Sequence, residues 1–222
     1  MEWIKDFLHY LDPVNLIDLI KDSVGLEWVL PVLMFIIFAE TGLMVGFFLP
    51  GDSLLFTSGL FTATGQIEEN IWLMLVLLIL AAIAGDQVGY LTGRKIGKTL
   101  YRKKDTWYFK QKYISKTQEF YDRHGGKTII IGRFVPIVRT FAPIVAGVAK
   151  LEYKRFVPYN IIGGIIWITS MLLLGYFIGS KINPEYIKYV VLGIIVISIL
   201  PIITTAYKEW RLKRRQTREM KS

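Results

Sequence analysis

Glu40, Asp52, Arg133 and Arg139 sit inside stretches otherwise apolar enough for a membrane. Glu40 lies within WVLPVLMFIIFAETGLMVGFFLP, Asp52 follows Pro50-Gly51, and the two arginines punctuate TIIIGRFVPIVRTFAPIVAGVA. A charge at the bilayer centre costs roughly 3 kcal/mol even on the lenient insertion scale. Such groups persist where they pair with one another, line water or bind a charged cargo. Arginine keeps its charge and presents a planar donor fork suited to phosphate. A carboxylate can change charge, because burial opposes its ionisation and a nearby arginine favours it. Arg133 and Arg139 would project from opposite faces of one continuous helix. Pro136 breaks that helix and leaves both free to converge. Unlike charges 4 Å apart attract by about 4 kcal/mol at an effective dielectric of 20. That is comparable to the burial cost, so neutralising an acid would release an arginine.

Other chemistries are poorly supplied. The chain has no cysteine, which excludes disulfides, thiolate catalysis and thiolate metal sites. Its two histidines, His9 and His124, lie outside the apolar runs, and no His and carboxylate set has metal-ligand spacing. An enzyme such as a lipid phosphatase needs a nucleophile and an acid–base partner, so none is expected, nor any metal or cofactor. The formal charge of +9 lies beside apolar runs, which suggests membrane topology rather than nucleic acid.

The elements that must position these charges follow from run lengths. Spans of about 20 apolar residues cross a bilayer. Trp28 to Pro50, Ile71 to Thr92, Phe156 to Ile178 and Tyr189 to Ala206 approach or exceed that length. The pattern predicts an all-α integral membrane protein in a single domain. An amphipathic helix at 13–24 opens with Asp12-Pro13 as cap and first turn. It lies on the membrane interface or packs as a soluble helix on a neighbour. A hairpin at 28–63 is broken at Pro50-Gly51, its second arm too short to cross alone. A span at 71–93 follows, with Asp86 late in it, capping or pairing with Arg94 near the interface. A basic amphipathic helix at 107–125 comes next. A second hairpin at 128–149 is interrupted by Pro136 and Pro143, with Gly147 near its end. Spans at 156–178 and 189–206 and a basic tail at 207–222 complete the chain. Gly85, Gly89, Gly93 and Gly97 recur every four residues and suit close helix packing, the alternative being a homodimer face. Trp28, Trp72 and Trp107 fit interface belts.

Positive residues mark the cytoplasmic side. Arg94 to Lys127 holds eleven Lys or Arg against three Asp or Glu, and the tail holds seven against two. These stretches and Lys150 to Arg155 are expected inside, with the tail also anchoring on anionic lipid. The six acidic and two basic residues before Trp28 are the reverse of a signal peptide's basic start. The count of crossings gives a hairpin plus span, then the same upside down. Such inverted repeats, with broken segments meeting at the midplane, are a recurring transporter design.

FAETGLMVGFFLPGDSLL (38–55), GDQVGYLTGRKIG (85–97) and FYDRHGGKTIIIGRFVPIVRTFAPIVAG (120–147) resemble the bacterial DedA proteins, relatives of the membrane domain of eukaryotic autophagy scramblases. The resemblance places the family's acidic pair on Glu40 and Asp52 and its arginine pair on Arg133 and Arg139. It implies ion-motive-force-dependent transport in the bacterial inner membrane. Some members recycle undecaprenyl phosphate between leaflets; others are linked to alkaline pH tolerance, osmotic stress and drug efflux. The expectation is a flippase for undecaprenyl phosphate or another phospholipid, with arginine holding the phosphate and H+ or Na+ acting at the acids. The rivals are a proton-coupled carrier or channel for a small solute, ion or drug, and a membrane protein whose ion pairs only hold its hairpins together.

Overall fold

The computed structural model describes residues 13–43, 51–100, 127–182 and 193. Pro50, the 107–125 helix, the 189–206 span except residue 193, the basic tail, Trp107, His9 and His124 lie outside them. Among the described residues every regular element is helical: α1 (Pro13–Val24), a single 3-10 turn (Leu26–Trp28), α2 (Val29–Gly42), α3 (Gly51–Ala63), α4 (Ile71–Leu100), α5 (Lys127–Gly132), α6 (Pro136–Val148) and α7 (Tyr153–Gly179).

Local chemistry sets the boundaries. Gly25 ends α1 at φ 101°, a conformation open to glycine. Asn70 caps α4, its Oδ1 accepting from Trp72 N at 2.9 Å. Pro136 opens α6 after an extended Val135, where its missing N–H costs nothing. The first apolar run breaks earlier than expected: α2 stops at Gly42, and Leu43 is extended. At that end Gly42 is pressed against the backbone of Gly85.

Helix length sorts the elements. At 1.5 Å per residue α2 and α3 are about 20 Å long, short of the ~30 Å hydrocarbon core. α4 and α7 are long and apolar enough to cross. Less than half of each one's most apolar window is buried in the protein. Leu73, Val76, Leu80, Ile162, Ile165, Leu174 and Phe177 stand exposed along them. Bands of that kind are disfavoured in water and match lipid. α4 runs on past the expected end at 93, so Asp86 lies mid-helix.

Packing repeats itself in the two halves. α2 lies along α4, and α5 along α7, each first arm on its own long helix. The second arms cross over: α3 packs on α7, and α6 on α4. Both crossings bring backbone against backbone at paired glycines. A Cβ on Gly59 would strike the carbonyl of Leu172, and one on Gly175 the carbonyl of Phe56. In the other half a Cβ on Gly93 would strike Ile144, and one on Gly147 the carbonyl of Tyr90. The glycine run of α4 is thus a packing face, as its spacing suggests.

One core cluster joins Leu33, Ile37, Leu54, Leu55, Met74, Leu78, Trp167 and Leu172; a second gathers Tyr90, Ile129, Ala146 and Phe156. α1 does not simply lie free on a surface. Its Ile17 and Ile20 are buried in the first cluster, and Lys21 sits 5.1 Å from the Phe61 ring centroid.

Candidate functional site

Where the four short arms meet, the charged side chains form two separate clusters. In the first, Arg139 on α6 bridges two acids. Its Nη2 donates to Glu40 on α2, and its Nη1 donates to Asp52 Oδ1 on α3 at 2.6 Å. Trp167 of α7 donates its Nε1–H to the same Asp52 oxygen at 2.7 Å. The Trp167 ring also lies beneath the Arg139 guanidinium, 4.2 Å from centroid to Cζ, a cation–π geometry. Glu40, Arg139 and Trp167 are almost wholly buried, whereas the Asp52 side chain is 36% exposed. Asp52 is therefore the face this cluster turns outward.

Helix ends reinforce the arrangement. Asp52 occupies the first turn of α3, where the positive end of the helix dipole favours an anion. The Glu40 carboxylate fills the space a Cβ on Gly51 would take, so a larger residue there would push the carboxylate off its present seat. The charge sum is one guanidinium against two carboxylates, a surplus of one negative charge if all are ionised.

The second cluster is centred on Arg133, in the turn between α5 and α6. Its Nη2 donates to Asp86 on α4 and to Asn160 Oδ1 on α7, and reaches the Asn160 carbonyl at 3.3 Å. Asn160 in turn donates Nδ2–H to the carbonyl of Ile83 at 3.4 Å. The Arg133 stem crosses Gly163, where a Cβ would come within 2.9 Å of its Nε.

All four expected site residues are thus drawn to the helix junction, but their pairing differs from expectation. The two arginines do not form one fork. Arg139 is held by Glu40 and Asp52 and Arg133 by Asp86, because the break before Pro136 puts Arg133 in the turn and Arg139 on the next helix. Asp86 pairs with Arg133, not with Arg94, since it lies two turns before Arg94 and faces the bundle. Arg94 instead donates to the Tyr90 hydroxyl at 3.0 Å. Gly147 and Pro143 serve packing, Gly147 on Tyr90 and Pro143 beside Gly89. Trp167 and Asn160 carry no charge and were not singled out by sequence. The available signals were a tryptophan far from a span's ends, where that residue usually sits, and an amide within an uncharged span.

Trp167 gives a direct stability test. Trp167→Phe keeps the ring but leaves Asp52 short of a charge-assisted hydrogen bond, worth about 1.5 kcal/mol at a partly exposed site. Trp167→Ala also opens a cavity and should cost about 3–5 kcal/mol. Unfolding in detergent should rank wild type above Phe and Phe above Ala. Equal stability of wild type and Phe would mean the indole N–H contributes nothing.

The VTT domain family matches residues 49–177 of the chain. The Escherichia coli protein named "Protein DedA" is 44% identical over 200 residues, covering 90% of each chain. A Mycobacterium leprae protein named "Uncharacterized membrane protein ML0287" is 40% identical, over 87% of this chain and 85% of its own. The Escherichia coli "Inner membrane protein YqjA" is 33% identical over 92% of this chain and 87% of its own. No solved structure matches.

Proposed function

This chain belongs to the VTT-domain family as a DedA-type membrane protein, and from that premise we propose that it carries a phosphate-bearing lipid between the leaflets of the bacterial inner membrane. The preferred cargo is undecaprenyl phosphate. Entry of a proton or sodium ion at Glu40 or Asp52 drives the exchange. No covalent chemistry is involved.

The observation that carries the reading is Arg139, held between Glu40 and Asp52 with Asp52 partly open. A guanidinium stabilised by two carboxylates cannot also take a phosphate. Neutralise one acid and its share of the attraction on the fork is lost, about 4 kcal/mol at 4 Å and an effective dielectric of 20. The fork then matches a phosphate of like geometry. A structural pair alone would need one acid; the second makes the fork exchangeable. The crossed packing of α3 and α6 on the opposite long helices supports two inverted re-entrant hairpins whose tips meet near the midplane. The 94–127, 150–155 and C-terminal basic stretches then face the cytoplasm.

One observation favours a second reading, a carrier for a small cation or drug: the surplus negative charge of the Arg139 cluster. Reconstituted liposomes separate the two. Undecaprenyl phosphate added to one leaflet should reach the other faster under an acid-outside gradient, and an ionophore should remove that gain. Exchange no faster than in protein-free liposomes, with gradient-driven uptake of a cationic solute instead, would replace the lipid reading with the second one.

A further inference from the structure

The Arg133 cluster is only half satisfied. Among the described residues its hydrogen bonds all come from Nη2, to Asp86 and Asn160. Among the described residues Nε and Nη1 have no partner, and neither does Asp86 Oδ1. Arg133 and Asp86 are 2% and 1% exposed, and Asn160 is 0%. Buried polar atoms are ordinarily bonded, and an ion pair kept only for stability is normally satisfied on all its atoms. Glycine at 163, where a Cβ would come within 2.9 Å of Arg133 Cδ and Nε, lets the side chain lie close along α7. The Arg139 cluster shows the same signature in smaller measure, with Nε and Glu40 Oε2 unpartnered among the described residues.

We propose that Arg133, Asp86 and Asn160 form a second anion station, distinct from the Arg139 station, that holds the phosphate monoester of the cargo at a different point of its passage. The inference rests on the function proposed above and deepens it. Asp86 and Asn160 are the resting occupants of the station. A phosphate oxygen takes their place on Arg133 Nη2 while others accept from Nε and Nη1. The headgroup therefore moves between two arginines in turn instead of being clamped by both. Each station is neutralised by acids from a different helix: Glu40 and Asp52 from α2 and α3, Asp86 from α4.

The test uses the full chain in detergent and a short-chain polyprenyl phosphate as probe, with leaflet exchange measured in parallel. Asp86→Asn removes the competing charge and should bind the probe about tenfold more tightly while exchanging lipid about tenfold more slowly, because the headgroup is retained. Asn160→Ala should shift both in the same directions by about threefold, and it decides the matter should Asp86→Asn fail to fold. Adding Arg133→Gln to either variant should cancel the tighter binding. A structural role predicts the opposite: looser binding together with slower exchange. That result, or tighter binding that survives Arg133→Gln, overturns the second station. If wild type binds the probe through Arg139 while both variants leave affinity unchanged, the second station falls and the proposed function stands. If neither wild type nor any variant binds the probe, both fall.

Discussion

Arg139→Ala is expected to stop lipid exchange and to destabilise the protein, and the two losses are separable. Deleting the guanidinium leaves Glu40 buried without its cation and takes from Asp52 the Arg139 donor, leaving it the Trp167 indole N–H. Breaking a buried pair from one side costs about 3–5 kcal/mol, with the Asp52 share discounted because that side chain is partly exposed. Adding Glu40→Gln removes the orphaned charge and should restore most of the stability. It should not restore exchange. Two charge-assisted hydrogen bonds to phosphate, each worth about 1.5 kcal/mol or more, correspond to about a hundredfold in rate or affinity. A double variant that recovers both stability and exchange would make Arg139 a strut and nothing more. Arg139→Lys tests geometry: it keeps the charge but cannot span both acids and lie over the Trp167 ring.

Gly93→Ala should be among the most damaging single substitutions in the protein, while Gly89→Ala, one helical turn away, should be harmless. The difference comes from what each Cβ meets. At Gly93 it falls on the carbonyl of Ile144, a backbone atom that can move only if α4 and α6 part. At Gly89 it lies 3.5 Å from Pro143 and Ile144 side-chain atoms, ordinary contact. Overpacking typically costs about 1–3 kcal/mol, and Gly93 belongs at or above the top of that range. Gly89→Ala gains up to about 1 kcal/mol of helix propensity. Gly175→Ala, pressed on Phe56 in the other half, should match Gly93→Ala. Thermal unfolding of the four proteins in one detergent provides the comparison. Equal stability of Gly89→Ala and Gly93→Ala would mean the α4–α6 crossing is looser than described.

These results bear on how much the chain discloses before it is folded. Glu40, Asp52, Arg133 and Arg139 were legible because a charge in an apolar run is expensive wherever it points. The glycine run of α4 was legible because its four-residue period is a helix face. Which acid holds which arginine was not, since it depends on α3 and α6 each crossing to the other half's long helix. Asp86 illustrates the point: its sequence neighbour Arg94 looked like a partner, but tertiary packing delivers Arg133. The end of α2 was not legible either. Pro50-Gly51 is the strong local breaker, yet the helix stops at Gly42, where it meets Gly85. Trp167 and Asn160 gave little signal, because their importance lies in donors and acceptors that an apolar span hides.

The central claim is that phosphate and the carboxylates compete for one guanidinium. Isothermal titration of wild-type protein with a short-chain polyprenyl phosphate, repeated in two buffers of different ionisation enthalpy, counts the protons that accompany binding. Uptake of about one proton per bound headgroup is expected, because an acid must be neutralised for Arg139 to let go; Glu40→Gln should bind with less uptake. Tight binding through Arg139 with no proton taken up, in wild type and variant alike, would contradict the account.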